Sequence, residues 1–155
     1  MNSEDKELSR KSPDDGKPDP LQRGERKYDL EERLLEFASA VIDLSENLPA
    51  SRAGNHVAGQ LLRSGTSPYG NHGEAQASES AEDFIHKMKV CLKELREAHR
   101  WGRLVERKHW LRADRQLAFI LSEGDELIRI FKSSIKTAER NRVKSTRRVG
   151  NSPSG

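Results

Sequence analysis

DFIHKMKVCLKELREAHRWGRLV, residues 83–105, decides the fold. Phe84, Met88, Cys91, Leu92, Leu95, Ala98, Gly102 and Val105 recur at steps of three and four, the spacing that gathers apolar side chains along one face of an α-helix. On the roughly opposite face Lys89, Lys93, Arg96, Arg100, Arg103 and Arg107 alternate steps of four and three. At about 100° per residue all six fall within roughly 40° of one line, and no acidic residue interrupts it. One face is built to pack inward. The other repels itself by a few tenths of a kcal/mol per pair unless something negative lies against it.

Three further helical patterns flank this one. Upstream, Asp29 is read as an N-cap, with Glu31 and Glu32 in a first turn where the helix dipole favours negative charge. Leu30, Leu34, Phe37, Ala38, Val41, Ile42 and Leu48 form its apolar face, and Pro49 ends it. Ser51 caps a second helix through Val57, Ala58, Leu61 and Leu62. In the segment that follows, Gly65, Pro68, Gly70 and Gly73 predict a break, a kink or a close helix contact, because glycine and proline both disfavour a helix interior. Ser80 opens the third helix, with Asp83 completing an imperfect capping box. The fourth runs from about Asp114 to Glu139 with Leu117, Ile120, Leu121, Leu127, Ile128, Phe131 and Ile135 inward. Four helices on short connections predict an all-α, antiparallel up-and-down four-helix bundle over residues 28–139.

Composition agrees. Of 155 residues, 33% are apolar and 34% are Asp, Glu, Lys or Arg, which suits long amphipathic helices around one small core. Residues 1–27, with Pro13, Gly16, Pro18 and Pro20, are expected to be a disordered polar tail. Residues 140–155 are expected to be a disordered basic one. The net charge of +3 collects there: Lys136, Arg140, Arg142, Lys144, Arg147 and Arg148 face only Glu139 between residues 136 and 155. Cys91 is the single cysteine, so no disulfide forms within the chain, and its place in the apolar stripe predicts a buried thiol. No apolar run resembles a secretory signal or a membrane span, and a cytoplasmic protein is expected.

No catalytic constellation emerges. Residues 65–70 have the glycine spacing of a phosphate loop, but Asn71 and His72 stand where lysine and a hydroxyl are required. Asp83/His86 and Glu106/His109 imitate the Glu-x-x-His pairs of di-metal bundles. They lie on one helix about 35 Å apart, too far to share an ion, so no metal and no cofactor is expected. His56, His72 and His99 are scattered without a nucleophile. An enzyme is not expected.

Gln60 to Ser67 (QLLRSGTS), followed by Asn71 and Glu74, and Lys93 to Glu97 (KELRE) resemble, in order, the ribosomal-RNA intervening-sequence proteins, a four-helix-bundle family. The resemblance covers about residues 28–139. It implies a bundle assembling into a ring-like homo-oligomer, a pentamer in family members of known structure, with no activity of its own. It further implies links to ribosomal-RNA insertions, or to diversity-generating retroelements, whose accessory proteins bind a reverse transcriptase and nucleic acid. It also implies a second helix continuing through residues 67–74. Ser67, Asn71 and Glu74 share one helix face and are expected to form a structural polar network with Glu94 or Arg96, since buried polar groups need partners.

Two functions follow as expectations. One is an oligomeric, RNA-binding protein working through the basic face of the third helix and through Arg140, Arg142, Lys144, Arg147 and Arg148. The other is a protein-binding adaptor docking an acidic partner. Against both stands a structural explanation of the ridge: Glu32, Glu36 and Asp43 of the first helix are able to meet it, within or between subunits, so that the charges fix assembly geometry, although three carboxylates cannot neutralise six cations.

Overall fold

The computed structural model describes residues 20–150, with side chains from Leu30 onward. Four helices account for nearly all of it: α1 (Pro20–Glu46), α2 (Arg52–Gln76), α3 (Ala81–Lys108) and α4 (Arg115–Val149), with no strand among the described residues. Each helix runs beside two others. The pairs α1/α2, α2/α3, α3/α4 and α1/α4 lie side by side, while the backbones of α1 and α3 stay apart. Those two therefore occupy opposite corners around a common core.

Leu34, Phe37, Val41 and Leu44 of α1 meet Leu61 of α2, Met88, Leu95 and Val105 of α3, and Ile120, Leu127 and Phe131 of α4 in that core. Burying a side chain of this size contributes roughly 1.5–3 kcal/mol, so the helices are held chiefly by these contacts. Leu44, unremarked in the sequence reading, continues the 34-37-41-44 line. Ile42, expected inside, is 45% exposed because it stands one residue, about 100°, away from that line. On α3 the same displacement buries Ile85 and leaves Phe84 only partly covered.

Three helix starts are capped as the side chains require. Ser51 Oγ accepts from the Gly54 amide at 3.0 Å, Ser80 Oγ from the Asp83 amide at 3.1 Å, and an Asp114 carboxylate oxygen from the Leu117 amide at 3.0 Å. Each satisfies an otherwise orphaned amide of a first turn. The capping box at Ser80 is only half made, since Asp83 turns its carboxylate to Lys87 at 2.9 Å.

Two expectations are corrected and one is narrowed. Asp29 is not an N-cap: α1 is already under way from Pro20, a residue whose fixed φ and missing amide suit a first helical position. Residues 20–27 are thus helical, while the rest of the expected N-terminal tail lies outside the described residues. Of the break, kink or close helix contact expected after Leu62, the break does not occur and the close contact does, Gly65 lying against Val41. α2 continues through Pro68 to Gln76 and buries Ser64, Gly65, Pro68, His72 and Ala75 against its neighbours. Tertiary burial outweighs the local cost of proline and glycine here. Finally, α4 does not stop near Glu139 but continues to Val149. Lys and Arg propagate a nucleated helix cheaply, and residues 140–149 do so exposed to solvent; 151–155 lie outside the described residues.

Candidate nucleic-acid interface

The ridge of α3 faces solvent. Lys89, Lys93, Arg96, Arg100, Arg103 and Arg107 are all exposed, opposite the buried line Met88, Cys91, Leu95, Ala98, Gly102 and Val105. Only Lys89 is paired, its Nζ 2.7 Å from Glu139 Oε1 of α4. The hydrogen bond and charge of Lys89 hold the Glu139 carboxyl below the usual carboxylate range. The other five ridge cations form no ion pair among the described residues. α1 and α3 stand at opposite corners, so the exposed Glu32, Glu36 and Asp43 face away from the ridge within the chain.

The helical continuation of α4 adds a row that sequence reading missed. Arg129, Lys132, Lys136, Arg140 and Arg147 stand at steps of three, four, four and seven, within roughly 40° of one line. With the last of these read as coil, the row had no visible period. α3 and α4 pack side by side, and between their cationic rows lies an open groove of about 520 Å³. Lys89 and Arg96 form one wall, Arg129, Lys132 and Lys136 the other, and Leu92 and Ile135 contribute an apolar floor. A second hollow continues along α3 past Lys93 to Arg100. Arg142, Lys144 and Arg148 stand on other faces of the exposed C-terminal turns.

The expected polar network divides in two. Asn71 Nδ2 donates to Ser67 Oγ at 2.8 Å within α2. Glu74 is exposed and joins neither this pair nor Glu94. Glu94 itself is 8% exposed and takes its hydrogen bond from Arg63 Nη1 at 3.1 Å; Arg63 Nη2 bonds Glu97. Glu97 also accepts from Trp101 Nε1 at 3.4 Å, and the Trp101 ring meets His56 edge to face. Trp101 and Trp110 both pack against the core. Arg63 was visible in the QLLRSGTS motif, but nothing in the sequence revealed that α2 would place it opposite Glu94.

On the far side, Arg33 of α1 bonds Glu123 of α4 at 2.6 and 3.1 Å and Glu126 at 2.6 Å. Glu123's hydrogen bond leads the causes that raise the Arg33 pKa further. His86 and His109 are exposed, and His72 is buried against Phe131. No cluster of three or more His, Cys, Asp or Glu that would hold a metal exists among the described residues. No helix among them is long and apolar enough to cross a membrane.

These features define a small all-helical protein with a cationic groove. No family model and no curated protein matches the chain. It is similar to a solved structure, a protein of unknown function from the S23 ribosomal protein family of Bacteroides thetaiotaomicron VPI-5482, with 32% identity and a TM-score of 0.63. The alignment covers 69% of this chain and 98% of that one. The chain belongs to the S23 ribosomal protein family.

Proposed function

We propose that this protein is a non-enzymatic, cytoplasmic, oligomeric binder of nucleic acid, most naturally RNA, acting through the cationic side formed by α3 and α4. The observation that carries the reading is that five of six ridge cations are exposed and unpaired beside a second cationic row. Such a surface attracts a polyanion by counterion release and reads charge and shape rather than base sequence. The resemblance to ribosomal-RNA intervening-sequence proteins points the same way, as does membership of a family named for a ribosomal protein.

The finer architecture belongs to the same reading: an antiparallel up-and-down bundle whose copies close into a ring, with five subunits implied by the resemblance. Short connections between successive helices support antiparallel neighbours. Pairing of Arg33 with Glu123 and of Asp43 with Gln116 supports them too, because partners on α4 descend as residues on α1 ascend. The adaptor reading keeps one observation of its own, the apolar floor at Leu92 and Ile135, which suits a protein ligand such as a polymerase segment.

The test is binding of a structured RNA across a salt series. Affinity should fall steeply with salt, and Arg96→Gln/Arg100→Gln/Arg103→Gln should weaken it while leaving the helical circular-dichroism signal intact. Absence of binding at low salt defeats the reading.

A further inference from the structure

We infer that the α3–α4 groove is the docking site for α1 of a second copy of this chain. This deepens the oligomeric part of the proposed function by naming the two surfaces that meet.

α1 is unusual in what it leaves outside. Leu35 and Ile42 are 42% and 45% exposed and, seven residues apart, stand on one line of the helix. Leu62 and Tyr69 of α2, also seven apart, are exposed as well. Glu31 and Glu46, one turn beyond each end of the Leu35–Ile42 pair, close the apolar line, and Glu32, Glu36 and Asp43 run beside it; all five are exposed. From Leu30 to Glu46 the only basic residue is Arg33, which Glu123 and Glu126 occupy. The outer face of α1 is therefore an apolar centre with an acidic border.

The groove is its chemical complement, with an apolar floor of Leu92 and Ile135 between cationic walls. An amphipathic helix laid in such a groove covers its exposed apolar residues against the aliphatic stems of the cationic walls, over the edges of Leu92 and Ile135, and pairs both borders. Within one chain this match cannot be made, because α1 and α3 sit at opposite corners. Between copies it can. The two surfaces belong to different sides of the molecule, so the contact is head to tail, the kind that generates rings when the rotation closes. Arg103, Arg107 and the cations beyond Lys136 on α4 do not line the groove and stay available to a polyanion.

Solution mass by light scattering at low salt, on the full chain, tests this. The wild type should exceed monomer mass. Glu32→Lys/Glu36→Lys should reduce it to monomer, as should Arg129→Glu/Lys132→Glu, each folded by circular dichroism and each weakening association at least about tenfold. Mixing the two variants should restore association, since each then offers the other a complementary face. Leu35→Ser/Ile42→Ser should also dissociate the assembly. A monomeric wild type, an unchanged mass in either charge reversal, or a mixture that stays monomeric overturns the assignment. Glu32→Lys/Glu36→Lys retains every cation of the nucleic-acid reading. If it loses assembly but binds RNA, both inferences stand; if masses behave as stated and RNA never binds, only the nucleic-acid reading fails.

Discussion

Gly65 of α2 lies so close to Val41 of α1 that a Cβ on the glycine would fall 2.6 and 2.7 Å from the two valine γ-methyls. Real Cβ contacts do not reach such distances, so the two helices meet at this separation only because residue 65 has no side chain. Gly65→Ala should destabilise the fold by about 1–3 kcal/mol, the usual cost of overpacking, despite alanine's better helix propensity. Adding Val41→Ala should recover part of that loss. Urea unfolding of the single and double variants, followed by circular dichroism, is the measurement; an unaltered midpoint for the single variant contradicts the contact.

The buried carboxylate of Glu94 depends on Arg63. Removing the guanidinium leaves an 8% exposed acidic residue without its partner, and an unsatisfied buried polar group costs about 1–3 kcal/mol. Arg63→Ala should therefore lower stability by that order, and Glu94→Gln in the same background should return some of it. A double-mutant cycle on chemical unfolding reads the coupling, and simple additivity would mean that the pair carries none.

Much of this was legible beforehand because the hydrophobic period is strong. The inward lines of α3 and α4 follow from aliphatic residues at helical spacing. The second half of α2 was not legible by the same signal. Its buried face is Ser64, Gly65, Pro68, His72 and Ala75, small or polar types that normally announce a loop, yet their spacing continues that of Gly54, Val57 and Leu61. Propensity left a break, a kink and a close helix contact open, and packing selected the close contact. The ridge on α3 was visible because charge needs no partner to be counted. The groove was not, because its second wall appears only when α4 is placed beside α3. Nor could spacing reveal that Glu94 would face Arg63 rather than Asn71.

Cys91 makes stability depend on alkaline pH. Burial pushes its thiol up to about 12, and Sγ approaches the Pro68 carbonyl at 3.7 Å. In the unfolded chain a thiol titrates near about 8.5. Between these values the folded state holds a proton that the unfolded state has lost, so stability is intact below the unfolded value and declines as pH rises above it. The expected slope is about 1.4 kcal/mol per pH unit. Comparison with Cys91→Ala isolates the effect from lysine and tyrosine titration: the stability gap between the two proteins should narrow from pH about 9 upward. A constant gap would show that the thiol does not titrate differently on unfolding. Modification by a thiol reagent at neutral pH should likewise be slow until the protein unfolds.

The last turns of α4 separate helicity from stability. Residues 140–149 are helical and exposed, so they add backbone hydrogen bonds but no buried core residue. Val143→Pro should end the helix near that point, because the ring removes an amide donor and clashes with the preceding turn. The helical signal should drop measurably while the thermal midpoint hardly moves. Arg140 and Arg147 would also leave the line they share with Arg129, Lys132 and Lys136. If the cations beyond Lys136, which lie outside the groove, track a nucleic-acid backbone, the slope of log affinity against log salt should shrink by about 0.7–0.9 for each cation withdrawn. Replacing Arg140 and Arg147 by Gln, with the helix preserved, should produce the same change in slope. A slope that persists in both variants would place the polyanion on α3 alone.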